Sequence, residues 1–305
     1  MISKDSFDYL INQFDLGTST AEKDPLLPSA SIRTQQFYDL WKDRIDIVRG
    51  IKGAGKTALY RVFYLLSESL AQEDNLFCIF GVEPTGDPVF RHFRENFAQF
   101  TALEFEKFWT LYFLFLIRDR IKSDQKLQTI ITNREDAENL ERLWKSLEVP
   151  YENKHDGLWG IVEAVIEKFP TVKKIEPGVS VAQKNDDSVT YKSGMGVEFG
   201  ETQKMNKPKY IGDIRAALCG LLKKQNLRIW IMLDRLDEVF NRRSIEEANG
   251  LKGLLKAAYN LSEPELRIKV FLRDDIIEQL ATSRDGFVAL THVTDRASPT
   301  LTWAK

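Results

Sequence analysis

Three short stretches of this chain hold the residue types that phosphate chemistry requires. The first is GIKGAGKT, Gly50 to Thr57, which fits the spacing G-x-x-x-x-G-K-[ST]. Without a Cβ at Gly53 and Gly55 the turn can direct successive backbone N–H groups inward, and the helix that follows adds its positive N-terminal end. Such a nest suits a polyphosphate. Gly50, Gly53, Ala54, Gly55, Lys56, Thr57 and Ala58 are therefore the expected phosphate-binding residues, with Lys56 reaching the β- and γ-phosphates and the Thr57 hydroxyl a ligand of Mg²⁺. A glycine turn without a ligand is the competing reading; the strand pattern before the loop and the helix pattern after it weigh against it.

The second stretch is LDRLDE, Leu233 to Glu238, at the end of an apolar run. A strand-end acid beside a phosphate loop supplies a direct or water-mediated Mg²⁺ ligand, and Asp234 has that place. Asp237 and Glu238 follow closely enough to orient or deprotonate an attacking water, with Glu238 the favoured base. The alternative is that this pair only favours the N-terminal end of the next helix. The third stretch, VFLRDDI (270–276), sets Arg273 at the end of another apolar run. It either senses the γ-phosphate or serves as the structural partner of Asp274, Asp275 or Asp234. Arg242 and Arg243 are candidates for an arginine finger offered to a neighbouring subunit, or for a solvated basic pair.

Positioning these residues takes a particular order of elements. IDIVRG (45–50) predicts a strand, TALYRVFYLLSESLA (57–71) a helix and LFCIFGV (76–82) a second buried strand, which together make the β-loop-α-β unit of a parallel sheet. LRIWIMLD (227–234) and LRIKVFLR (266–273) predict two more strands. SIRTQQFYDLWKDR has helical spacing, and helical patterns also run from about 90 to 147, over 157–169, over 211–226 and from Asp234 to about 260. The polar, alternating segment 180–207 predicts an exposed hairpin or a mobile insertion. FWTLYFLFLI, Phe108 to Ile117, is about half of the ~20 residues a membrane crossing needs and stops at Arg118, so it predicts a buried helix and no membrane contact.

The 305 residues carry a formal net charge of -2, which excludes a globally basic nucleic-acid binder. Lys204, Lys207, Lys209, Lys223 and Lys224 form the one local basic cluster that could contact nucleic acid, and with the near-neutral total charge a solvated face is the favoured account of it. Both cysteines, Cys78 and Cys219, sit in apolar runs and predict buried thiols in a reducing, cytoplasmic setting. The N-terminus begins with acidic residues where an export signal would have a basic start.

GIKGAGKT, LDRLDE and FLRDDI together resemble the nucleotide-binding core of the AAA-like and STAND P-loop ATPases, including the NACHT and KAP groups, where an Asp-x-x-Asp-Glu cluster follows the third core strand. The likeness is greatest to a group of bacterial P-loop ATPases with an Arg-Asp-Asp-Ile stretch after the sensor strand. It implies ATP and Mg²⁺ as cofactors, slow ATP hydrolysis as a conformational switch or assembly platform, and a signalling or antiviral-defence role through self-association or an effector protein. It also implies that Ala21-Glu22 help enclose the nucleotide. Helical lids that usually close such cores do not follow TLTWAK, so the resemblance implies a longer chain or a second chain that supplies the cover.

The expected fold is thus a three-layer α/β P-loop NTPase with a mostly parallel sheet ordered 5-1-4-3-2, in which TLTWAK (300–305) is the fifth strand. Residues 1–40 lead into a core at 41–305, with a helical and hairpin insertion at about 103–209. Competing functions are a nucleic-acid motor or loader, a small-molecule kinase, and a scaffold that binds nucleotide without hydrolysing it.

Overall fold

Continuous apolar runs become parallel strands here because both faces of the sheet are covered. In the computed structural model, which describes residues 34–81, 97, 100–131, 134–145, 208–236, 239–240, 244–282 and 294–301, four strands build one all-parallel sheet. They are β1 (Ile47–Gly50), β2 (Leu76–Phe80), β3 (Arg228–Leu233) and β4 (Leu266–Arg273), in the order β1-β4-β3-β2. Side chains alternate between two cores. Ile47, Ile79, Ile231, Leu233, Val270 and Leu272 enter one, whereas Val48, Cys78, Trp230, Met232 and Phe271 enter the other.

Helices α1 (Gln35–Trp41) and α2 (Lys56–Glu73) fill the second core with Phe37, Leu40, Tyr60 and Phe63. The larger first core takes α3 (Ala102–Ser123), α4 (Gln125–Ile130), α5 (Arg134–Lys145), α6 (Pro208–Lys224), α7 (Ile245–Leu261) and α8 (Asp274–Thr282). Helix α3 contains the FWTLYFLFLI run, starts in a capping box between Thr101 and Glu104, and is buried continuously from Phe108 to Arg118. No helix among the described residues is long and apolar enough to cross a membrane.

The first part of the segment expected as an insertion is thereby a core helix. Helices α3 and α7 meet at Gly253, where an added Cβ would lie 2.5 Å from Phe105 Cβ and 2.6 Å from the Glu106 backbone nitrogen. Only hydrogen fits that gap. One turn away, Trp109 Nε1 donates to the Gly250 carbonyl at 2.9 Å, which satisfies the indole in an otherwise apolar contact.

Residues 294–301 run beside the edge of β1 that β4 leaves open, with isolated parallel bridges from Ala297 to Ile47 and from Leu301 to Gly50. A charged network ties this segment down. Lys269 on β4 is fully buried and donates to Asp46 Oδ1 at 2.7 Å, to Asp43 Oδ1 at 2.5 Å and to the Ile45 carbonyl at 2.8 Å, with its ammonium 4.4 Å from the Trp230 ring centroid. Arg296 brings its Nε to Asp46 at 2.6 Å and its Nη2 to the Asp43 carbonyl, and Arg267 Nε reaches Asp43 at 3.2 Å.

Cys78 is buried and burial pushes its thiol up to about 12. Cys219 is only half-buried, and burial followed by Glu263 and Glu265 pushes it up to about 11. Both stay protonated near neutral pH and are poor nucleophiles. Ala21-Glu22, the helix expected at 157–169, the hairpin at 180–207 with Lys204 and Lys207, and Asp237, Glu238, Arg242 and Arg243 lie outside the described residues.

Candidate functional site

In a parallel sheet every strand ends on the same edge, so the three motifs gather there without any special folding of the chain. The GIKGAGKT loop leaves the end of β1 and enters α2, as its residue pattern predicts. Gly53 and Gly55 have φ of 82° and 88°, a left-handed backbone that other residues adopt at a cost of roughly 1–2 kcal/mol. Gly55 is the N-cap of α2 and makes no side-chain cap. Gly50 is held for another reason: a Cβ there would meet Leu301 Cβ at 3.1 Å and Ala54 Cβ at 3.2 Å.

Lys56 is buried, and its Nζ donates to the carbonyls of Gly50 and Ile51, both at 2.9 Å. The ammonium is therefore folded across the inside of the loop. Ala54 is buried beneath it, Thr57 and Ala58 are half-buried at the start of α2, and the crest is open, with Ile51 58% exposed. This combination of an open crest, a helix start and a fixed cation fits an anion with several oxygens.

Asp234 follows Leu233 directly at the end of β3 and is buried. Arg235 then takes a left-handed backbone with φ of 59°, which turns the chain sharply at the residue after the acid. Leu236, Val239 and Phe240 are all buried in the first core and so anchor the chain on either side of positions 237 and 238. Helix α7 begins only at Ile245, capped by Ser244 and with Glu246 and Glu247 in its own first turn.

Arg273 ends β4 in register with Gly50, which brings the third motif beside the first. Its guanidinium forks onto Asp275, with Nε to Oδ1 at 2.9 Å and Nη2 to Oδ2 at 2.6 Å. Asp274 instead accepts from Arg49 Nε at 3.0 Å and joins α8 to β1. Of the two acids that follow Arg273, the exposed one engages it. Of the basic cluster, Lys223 and Lys224 close α6, where cations complement the helix end, and Lys224 pairs with Asp136 at 2.7 Å.

Connections leaving the sheet diverge at this edge. Helix α2, after β1, covers one face, whereas α7 and α8, after β3 and β4, cover the other. The crevice between β1 and β4 is thus a topological switch point, the usual ligand position of an open parallel sheet. Comparisons with protein-family models, curated proteins and solved structures give no match to the chain.

The donors at the edge are hard oxygens. Thr57 and Asp234 suit Mg²⁺, which takes few protein ligands and completes its shell with phosphate oxygens and water. Among the described residues no cluster of three or more His, Cys, Asp and Glu side chains forms a metal cage.

Proposed function

We propose that this chain is a P-loop ATPase that binds ATP·Mg²⁺ and hydrolyses it slowly, as a conformational switch or assembly platform. The observation that carries this is the glycine loop: two left-handed glycines, an uncapped helix start and a lysine folded across its interior, all at the switch point of a parallel sheet. In this reading residues 294–301 are the fifth strand, the sheet order is 5-1-4-3-2, and the helices on its two faces make the three layers of a P-loop fold. The loop amides and Lys56 would hold the β- and γ-phosphates, while Thr57 and Asp234 would hold Mg²⁺, which neutralises phosphate charge when bound. Glu238, or Asp237 beside it, would take the proton of the attacking water. Arg273 would sense the γ-phosphate from the end of β4. Cytoplasmic location is part of the same proposal.

Lys56→Ala tests the loop. Removing the one cation folded into it is expected to weaken ATP binding by 10-fold or more in a calorimetric titration, about 1.4 kcal/mol per factor of ten. Unchanged affinity would remove the basis of the assignment.

Self-association, or docking on an effector protein, comes from the likeness of the three motifs to AAA-like and STAND ATPases, as does a role in signalling or antiviral defence. In such assemblies a neighbouring subunit completes the γ-phosphate side, and Arg242 or Arg243 would supply the cation in trans. Turnover per chain is then expected to rise with protein concentration. Light scattering and phosphate release across a hundredfold dilution check this; a monomer of constant specific activity contradicts it.

A further inference from the structure

Asp274 and Asp275 are adjacent in sequence and differ in what they do. Asp274 is buried and committed to Arg49 of β1, so it fixes the start of α8 to the strand that carries the glycine loop. Asp275 has a side chain 60% exposed and engages Arg273 through both of its oxygens, while the Arg273 side chain is only 14% exposed. The exposed partner of this pair is the acid. The arginine is set by its strand, in register with Gly50, and alternation along β4 gives it the face of Phe271, the face that α2 covers.

A guanidinium fork presents two parallel N–H groups, and a carboxylate or two oxygens of a phosphoryl group satisfy it with the same geometry. Only one of them can occupy the fork at a time. We infer, on the ATPase reading above, that Asp275 is an internal substitute for the γ-phosphate: its carboxylate holds the Arg273 fork until a nucleoside triphosphate displaces it. Asp275 thereby sets how strongly the site prefers a triphosphate over a diphosphate. A diphosphate leaves the fork on Asp275. Because one partner is well exposed, the ion pair is weak, and its exchange costs the triphosphate a factor of no more than about five in affinity. A buried acid such as Asp274 in the same place would hold the arginine too firmly to release it.

The experiment compares a non-hydrolysable ATP analogue with ADP on the full chain by calorimetry at fixed Mg²⁺. Asp275→Asn keeps the size of the side chain and weakens its hold on the guanidinium. It is expected to tighten the analogue by about two- to fivefold and to leave ADP unchanged. Arg273→Gln is expected to weaken the analogue and not ADP, and adding Asp275→Asn to it should give no further change. A gain shared by ADP, or one that persists in the Arg273→Gln background, would mean that Asp275 only repels phosphate, and would overturn the exchange. So would an Asp275→Asn variant indistinguishable from the parent. If the parent chain binds neither nucleotide, the ATPase reading itself fails, which is a different result from a parent that binds both and a variant that changes nothing. Melting curves of each variant confirm that the fold is retained.

Discussion

Glu238→Gln is expected to leave ATP binding intact and to cut turnover by roughly 10²-fold or more, because it preserves the shape of the side chain while removing the proton acceptor. The buried positions around it argue for this. Asp234 ends β3 under cover, Arg235 turns the chain, and Leu236 and Val239 are pinned in the core on each side of the two acids. Helix α7 has its own cap in Ser244 and its own first-turn acids, Glu246 and Glu247. Phosphate release at saturating ATP, alongside a direct binding titration, measures both halves of the expectation. If Asp237→Asn alone slows the reaction, the base is one residue earlier; if neither change slows it, the acids are structural.

The sheet was legible in the sequence because each strand is a short apolar run closed by a turn or a charge. LRIKVFLR corresponds to β4 residue for residue, and the loop lies between a strand and a helix as GIKGAGKT requires. Buried helix α3 was legible for the same reason, since a run of ten residues interrupted only by Thr110 has no polar face to expose. Pairing was not. Nothing in FLRDDI distinguishes Asp274 from Asp275 as the partner of Arg273, because the choice depends on which acid the first turn of α8 turns outward. Nor does an apolar pattern show that the start of the expected insertion closes on α7 through Gly253; that contact is long in sequence and depends on a missing side chain. Lys269 was hidden most completely. It reads as a single polar interruption in a strand, and its acids, Asp43 and Asp46, come from the other end of the chain.

That lysine carries the largest expected effect on stability. Lys269→Met retains the length of the side chain and its packing over Trp230, but it deletes a fully buried cation that holds two carboxylates and a carbonyl. Breaking a buried ion pair from one side costs about 3–5 kcal/mol, since the remaining charge loses its compensation without regaining water. For a chain of this size such a loss lowers the melting temperature by roughly 10 °C. Burial pushes the Asp46 carboxyl up, but Lys269 and Arg296 outweigh it and hold its pKa below the ordinary value. A depressed folded-state pKa means that the network stabilises the fold above the unfolded carboxylate pKa and loses that contribution as pH falls through the folded one, below about pH 4. The gap in urea midpoint between the parent and Lys269→Met is therefore expected to be full at pH 7 and to narrow in that acid range. A gap of the same size at every pH would assign the loss to the cation–π contact with Trp230 instead of the carboxylates. A variant as stable as the parent would mean that Arg267 and Arg296 balance both acids unaided, and that neither β1 nor the adjoining 294–301 segment depends on the lysine for its position beside β4.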